Sequence, residues 1–303
     1  MQWLASFVMR GRSQAVMATS VLAMLSMVMP PLSLLSSASV ALITLREGRN
    51  TGLQVIGLSL LACVVLSTIV LGSPAPAIGL ALLLWFPMWV LGQVLREMRS
   101  LGFAIQSALL FGLMTIGYFY LQSGDPIADW QEIFASLANS FTEAGLYKAV
   151  ESQQLVDELA RWMTGFFAAS YVLQLVASLL LARWWQSLLY NPGGFQQEFH
   201  QLRLSKSLAY VGAVLAVVSL LDASGDLLRY LMVVLMAAYL VQGLAVAHGT
   251  VKLLGLNRAW LIGVYIMLVI TGPQMMVLLS MLGLADIWMN FRAKAASKMS
   301  TGD

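Results

Sequence analysis

Long uninterrupted apolar runs recur along this chain, and they leave few folds open to it. The stretch 51–71 (TGLQVIGLSLLACVVLSTIVL) carries no charge from end to end, and about 20 such residues are what a helix needs to span the ~30 Å hydrocarbon core of a bilayer. In lipid every backbone N–H and C=O must be paired internally, so only helices and closed barrels cross it. A barrel strand alternates apolar and polar residues; the runs here are continuous, which predicts helices. Composition agrees: 59% of the 303 residues are hydrophobic and 10% charged, against about 25% charged in a soluble domain. The expected fold class is all-α, a single polytopic membrane domain over 1–303.

Ten apolar stretches stand out, at 13–29, 31–45, 51–71, 77–95, 101–121, 164–182, 207–221, 226–251, 259–272 and 274–291. The joints between them alternate in charge. Every Lys and Arg except Lys148, Arg161 and Arg229 falls in one set, at Arg10/Arg12, Arg46/Arg49, Arg96/Arg99, Arg183–Lys206, Lys252/Arg258 and Arg292–Lys298. The other set holds nine of the 14 acids: Asp125, Asp129, Glu132, Glu143, Glu151, Asp157, Glu158, Asp222 and Asp226. Basic residues are retained on the cytoplasmic side. The alternation therefore predicts helical hairpins with both termini cytoplasmic, about eight to ten membrane segments in all, in a bacterial inner membrane. The net charge of +3 reports this topology and implies no nucleic acid. Segments 31–45 and 259–272 are short for a full span, and Pro30–Pro31 and Gly272–Pro273 sit beside them; each region reads as a hairpin, a re-entrant pair or a broken helix. Arg10, Arg12 and the apolar run after them read as a retained first helix.

Two extramembrane pieces are expected. Residues 122–163 lie outside, with Trp130, Phe134, Leu137 and Phe141, then Leu155, Val156, Leu159 and Trp162, at helical spacing: an amphipathic connection, or a lid over an outward-facing cavity. The cytoplasmic loop 190–206 opens on Asn191-Pro192-Gly193-Gly194, a turn by its chemistry. Phe195, Phe199 and Leu202 follow at i, i+4 and i+7, one face of a short helix. With Arg203, these residues are the candidate surface for docking on the membrane interface or a cytoplasmic partner.

Polar groups inside spans are costly and become functional candidates. Gln174, Gln242, His248 and Asp286 lead, beside Gln54, Gln93, Gln106 and Gln274. Gln242 and His248 are six residues apart and share no face; Asp286 is expected to pair with a nearby cation, and Asp226 with Arg229 three residues on. Ala15, Thr19 and Ala23, and again Ser59, Cys63 and Ser67, form small-residue ridges that let helices approach. Nothing matches a hydrolase triad, a metalloprotease helix, a phosphate loop or a dinucleotide motif, and the single cysteine forms no intrachain disulfide. No catalytic, cofactor or metal site is expected, and the chain reads as no enzyme.

The run Asn191-Pro192-Gly193-Gly194-Phe195, with Glu198-Phe199 and Leu202-Arg203-Leu204, resembles the YybS-like family of bacterial predicted membrane proteins, a domain of unknown function. The stretch 243–249, Trp260, Pro273 and the run 283–292 (GLADIWMNFR) fit it as well, so the resemblance covers essentially the whole chain. More distantly the layout is similar to substrate-binding membrane subunits of energy-coupling-factor transporters and to rod-shape-determining membrane proteins. In the transporter subunits a small-residue ridge on the first helix docks a partner; Ala15, Thr19 and Ala23 are the matching positions, with Thr where Ala is usual. The family itself implies little biochemistry; the many spans, the intramembrane glutamines, the candidate lid and the lack of a catalytic set point to a small-molecule transport or solute-binding subunit in the bilayer, energised, if at all, by a separate membrane or ATPase partner. The alternative is a scaffold recruiting cytoplasmic partners through 191–206.

Overall fold

The computed structural model describes residues 1–143, 149–221 and 225–294, and within these says nothing of the side chains at 137, 140–143, 149–152 and 219–220. Leu137, Phe141, Glu143, Lys148, Glu151, Asp222 and Lys298, named above, therefore lie outside the description.

The described chain is helical throughout: α1 (Gln2–Val8), α2 (Arg12–Ser26), α3 (Leu32–Glu47), α4 (Arg49–Leu71), α5 (Ala75–Leu80), a π-helical turn (Ala81–Trp85), α6 (Phe86–Met98), α7 (Leu101–Ser123), α8 (Pro126–Glu143), α9 (Ala149–Tyr190), α10 (Gly194–His200), α11 (Lys206–Leu221), α12 (Asp226–Leu253), α13 (Ala259–Thr271) and α14 (Pro273–Met289). Five of these are long and apolar enough to cross a membrane: α4, Ala75–Met98 taken as one, α7, the apolar part of α9, and α12. That is fewer than the eight to ten segments expected, because α2, α3, α13 and α14 have only 15, 16, 13 and 17 residues. At 1.5 Å per residue these rise about 20–26 Å.

The breaks follow residue chemistry. Gly72 and Gly124 close α4 and α7 in the left-handed region. Ser100 Oγ accepts the Phe103 N–H at 3.2 Å and caps α7. Asp125 Oδ1 accepts the N–H groups of Ile127 and Ala128 at the start of α8. Gly272 turns at φ +46 ahead of Pro273, which sits in the first turn of α14 where its missing N–H is not needed. The two short pairs are thus each two helices joined by a turn.

Two helices act as centres. Helix α3 is buried at every residue from Ser36 to Leu45, and α2, α4, α6 and α9 all pack on it. Its serines make the polar links lipid cannot: Ser36 Oγ donates to the Thr19 carbonyl at 2.8 Å and accepts the Trp85 indole N–H at 3.0 Å. The two small-residue ridges are buried inside this half. Cys63 Sγ lies 3.7 Å from the Ser20 carbonyl, and Ala15, Thr19, Ala23, Ser59, Cys63 and Ser67 are each at most 1% exposed. The first-helix ridge is covered by the chain's own helices.

Helix α12 centres the second half, packed on α14, α9 and α7. Its backbone touches that of α14: a methyl added at Gly243 would collide with the Leu279 carbonyl, and one at Gly283 with the Tyr239 carbonyl. Helix α9 contacts both centres.

The π-helical turn has a specific repair. Pro87 has no N–H to give the Leu83 carbonyl one turn back, and the Tyr171 hydroxyl of α9 donates to that oxygen at 2.6 Å. Tyr171→Phe leaves the carbonyl unpaired and is expected to cost about 1–3 kcal/mol, read as a lower melting temperature of the purified protein.

At the acidic end, α8 folds back on the first half of α9. Trp130 Nε1 donates to Thr164 Oγ1 at 2.9 Å and Gln131 to Asp157 Oδ1 at 2.9 Å. Arg229 pairs with Asp226 at 2.8 Å, as its spacing predicts, and lies over the Trp162 ring. The second part of the segment at 122–163 runs without a break into the membrane helix, making α9 42 residues long.

Candidate functional site

The ends of α3, α6, α9, α12 and α14 that carry the basic joints meet. Arg46 lies over the Tyr190 ring, Arg96 donates to the Leu45 carbonyl at 3.0 Å, and Arg183 of α9 pairs with Glu198 of α10 at 2.7 Å. Here the 190–206 segment is docked. Ser187 organises its turn, donating to the Asn191 carbonyl at 2.7 Å and accepting the Phe195 N–H at 3.0 Å, while Gly193 takes φ +85. Asn191 and Pro192 stay exposed at this corner.

Helix α10 keeps Phe195 and Phe199 stacked at 5.8 Å, with Phe199 edge-on to the His248 ring. Leu202 departs from the expected face. The helix closes at His200, and Leu202 and Leu204 continue beyond it, each 3% exposed within the bundle. Leu202 and Leu204 are thus used against the protein itself, while Phe195 and Phe199 stay half-buried on α10.

Two arginines lock the segment in place by a reciprocal arrangement. The last carbonyls of a helix lack intrahelical donors, and cations are favoured there. Arg203 donates to the Asp286 and Ile287 carbonyls at the end of α14, at 3.2 and 3.0 Å. Arg292, just past α14, donates to the carbonyl of His200, the last residue of α10, at 2.6 Å and to that of Leu202, two residues beyond it, at 2.9 Å. Asp286, fully buried, pairs with Arg292 at 2.7 Å and accepts the Phe291 N–H with its other oxygen at 3.0 Å.

Gln242, also fully buried, joins the segment to the membrane helices. Its oxygen accepts the Leu204 N–H at 2.8 Å, and its amide donates to the Gly283 carbonyl at 2.7 Å. Glycines make room: a methyl at Gly102 would strike the Arg203 carbonyl, and one at Gly249 would press on the His200 carbonyl. His248 meets the Tyr265 hydroxyl at 2.9 Å and ties α13 to α12. Gln174 is elsewhere, donating to Ser33 Oγ at 2.9 Å in the first half. Of the four intramembrane polar candidates, Gln242 and Asp286 belong to the lock, His248 flanks it, and Gln174 does not.

Between these parts lies a cleft of about 570 Å³, lined by Gly193, Gln196, Gln197, His200, Gln201, Arg203, Gly249, Lys252, Leu253, Asn290 and Arg292. Sequence reasoning treated Lys252 and Arg292 as topology markers; nothing in their spacing shows that they converge on His200. Among the described residues three cations and a histidine line the cleft and no carboxylate does. Asp286 sits behind Arg292, engaged with it.

Burial, then Lys252 and Arg292, lowers the pKa of His200 from 6.5. The unfolded chain then binds more protons than the folded one in the window below 6.5, so docking weakens as pH falls through it. His200→Gln is expected to remove this dependence. Limited proteolysis of the 191–206 segment from pH 7.5 down to 5 checks it; equal acid sensitivity in both proteins would refute it.

Comparison with known families matches residues 17–287 to the family described as "Predicted membrane protein (DUF2232)". Among curated proteins and among solved structures no match is found. The matched region runs from within α2 into α14 and takes in α10, Arg203, Gln242 and Asp286, and the chain belongs to this family of membrane proteins.

Proposed function

We propose that the chain is a solute-binding or transport subunit of a bacterial cytoplasmic membrane, whose cytoplasmic end takes a small anionic group in the α10 cleft. The carrying observation is the lining itself: Arg203, Lys252, Arg292 and His200 face one cleft with the amides of Gln196, Gln197, Gln201 and Asn290, and with no acid among the described residues. Arg and Lys offer only donors, so the complementary ligand is rich in acceptors. The orientation rests on the basic joints, which are retained inside. An outward cavity beneath α8 is not part of this reading, because α8 folds onto α9. A scaffold role would have to use the polar side of α10, since Leu202 is buried and Phe195 and Phe199 are half-buried. The reading assigns binding and no catalysis.

The test has two arms. Purified protein is screened for thermal stabilisation by phosphate, sulfate and citrate across a salt series; no response to any anion would sink the binding claim. Single cysteines replacing Gln196 and Gln154, both exposed, in a Cys63→Ala background should react with an impermeant thiol reagent from inside and outside respectively. The reverse pattern would sink the orientation.

A further inference from the structure

We infer that the α10 cleft binds the phosphate headgroup of an anionic phospholipid; this rests on the anion-binding reading above. The argument begins with charge. Arg292 is already balanced by Asp286 at 2.7 Å, whereas Arg203 spends its donors on the neutral carbonyls of Asp286 and Ile287. Lys252 is exposed on the cleft wall with no carboxylate beside it in the lining. Among the described residues Arg203 and Lys252 are thus two cations without a carboxylate partner, in a wall that also offers the amides of Gln196, Gln197, Gln201 and Asn290. A phosphate group presents several charged oxygens around one centre, which suits a guanidinium fork and an ammonium point charge arriving from different helices.

Depth selects the source of that phosphate. The cleft lies where α12 and α14 end: Lys252 and Leu253 close α12, and Asn290 directly follows α14. Trp288, two residues before Asn290, is 45% exposed, and Trp260, at the start of α13, is 65% exposed. Exposed tryptophans at helix ends mark headgroup level. Basic pockets between membrane helices at that level suit anionic headgroups. A phosphate site at this depth is adjacent to the lipid phosphates, and a lipid reaches it without leaving the bilayer.

The test uses the full chain purified in neutral detergent, with native mass spectrometry and thermal shift as readouts. The probes are cardiolipin, phosphatidylcholine, glycerol 3-phosphate and citrate. Cardiolipin should bind and stabilise, and Lys252→Gln should weaken it about fivefold, from the contribution of one basic residue near an anionic surface. Lys206→Gln, a basic change at the exposed start of α11 outside the lining, should leave binding unchanged. Equal loss in both variants would mean diffuse surface charge and would overturn the site. Equal binding of phosphatidylcholine would overturn the anionic selection. If glycerol 3-phosphate matches cardiolipin, the ligand is a soluble phosphate and the lipid assignment fails. If only citrate binds, the phosphate inference fails while the anion-binding reading stands; if nothing binds, both fail.

Discussion

Asp286→Ala is expected to cost the protein about 3–5 kcal/mol, the usual penalty for leaving the partner of a buried ion pair unmatched. Arg292 is 9% exposed and Asp286 is 0% exposed, so the stranded guanidinium has little water to turn to. The damage should not stay local. Arg292 also holds the His200 and Leu202 carbonyls, and a guanidinium drawn toward solvent releases the end of α10. Melting temperature and protease access at 191–206 should therefore change together. The double variant Asp286→Ala/Arg292→Leu separates the two contributions. It removes the stranded charge and should recover part of the melting temperature, yet it lacks the donors for α10 and should keep the segment open to protease. Full recovery of both would show that Arg292 does not hold the segment.

Gly283→Val and Gly243→Val should be at least as severe. The atoms in the way are backbone carbonyls of the facing helix, which cannot swing aside as a side chain can. Relief requires α12 and α14 to separate, at or above the ~3 kcal/mol upper range for overpacked cores. Separation would also break the Gln242 bond to the Gly283 carbonyl. Gly117→Ala and Gly263→Ala are the controls, since an added methyl there meets nothing within 4 Å. They should be neutral or slightly stabilising, because alanine is the better helix former. Comparable losses at all four positions would show that the backbone contact is not what glycine serves at 243 and 283.

The helices were legible because lipid imposes a long, strict apolar period. The stretch 101–121 appears as Leu101–Ser123 and 226–251 as Asp226–Leu253. Local pairing was legible too: Asp226 to Arg229 is set by helix geometry over three residues, and Asp286 meets a nearby cation, Arg292, where the chain turns at Asn290 just past α14. The continuity of α9 was not. Charge changes abruptly near residue 164, which marks where the surroundings change from water to lipid, while the backbone ladder runs through regardless of the solvent. The fate of Leu202 was hidden for a related reason. Its spacing from Phe195 fits a helix, but α10 ends where Arg292 takes its carbonyls, and Arg292 comes from 90 residues away in sequence. The cleft was hidden for the same reason, because Lys252, Asn290 and His200 become neighbours only through tertiary packing.

Helix α9 links the α8 hairpin to the α10 turn through one unbroken backbone ladder. Its 42 residues reach about 63 Å at 1.5 Å per residue, and no proline interrupts them. At one end it carries α8 through Thr164 and Asp157; near the other it carries the α10 turn through Ser187 and Arg183. A tilt applied to the α8 hairpin cannot be absorbed at a hinge between them. It arrives at Ser187 with opposite sign, as the two arms of a lever move about a pivot, and the pivot here is the band where α9 lies between α3 and α12.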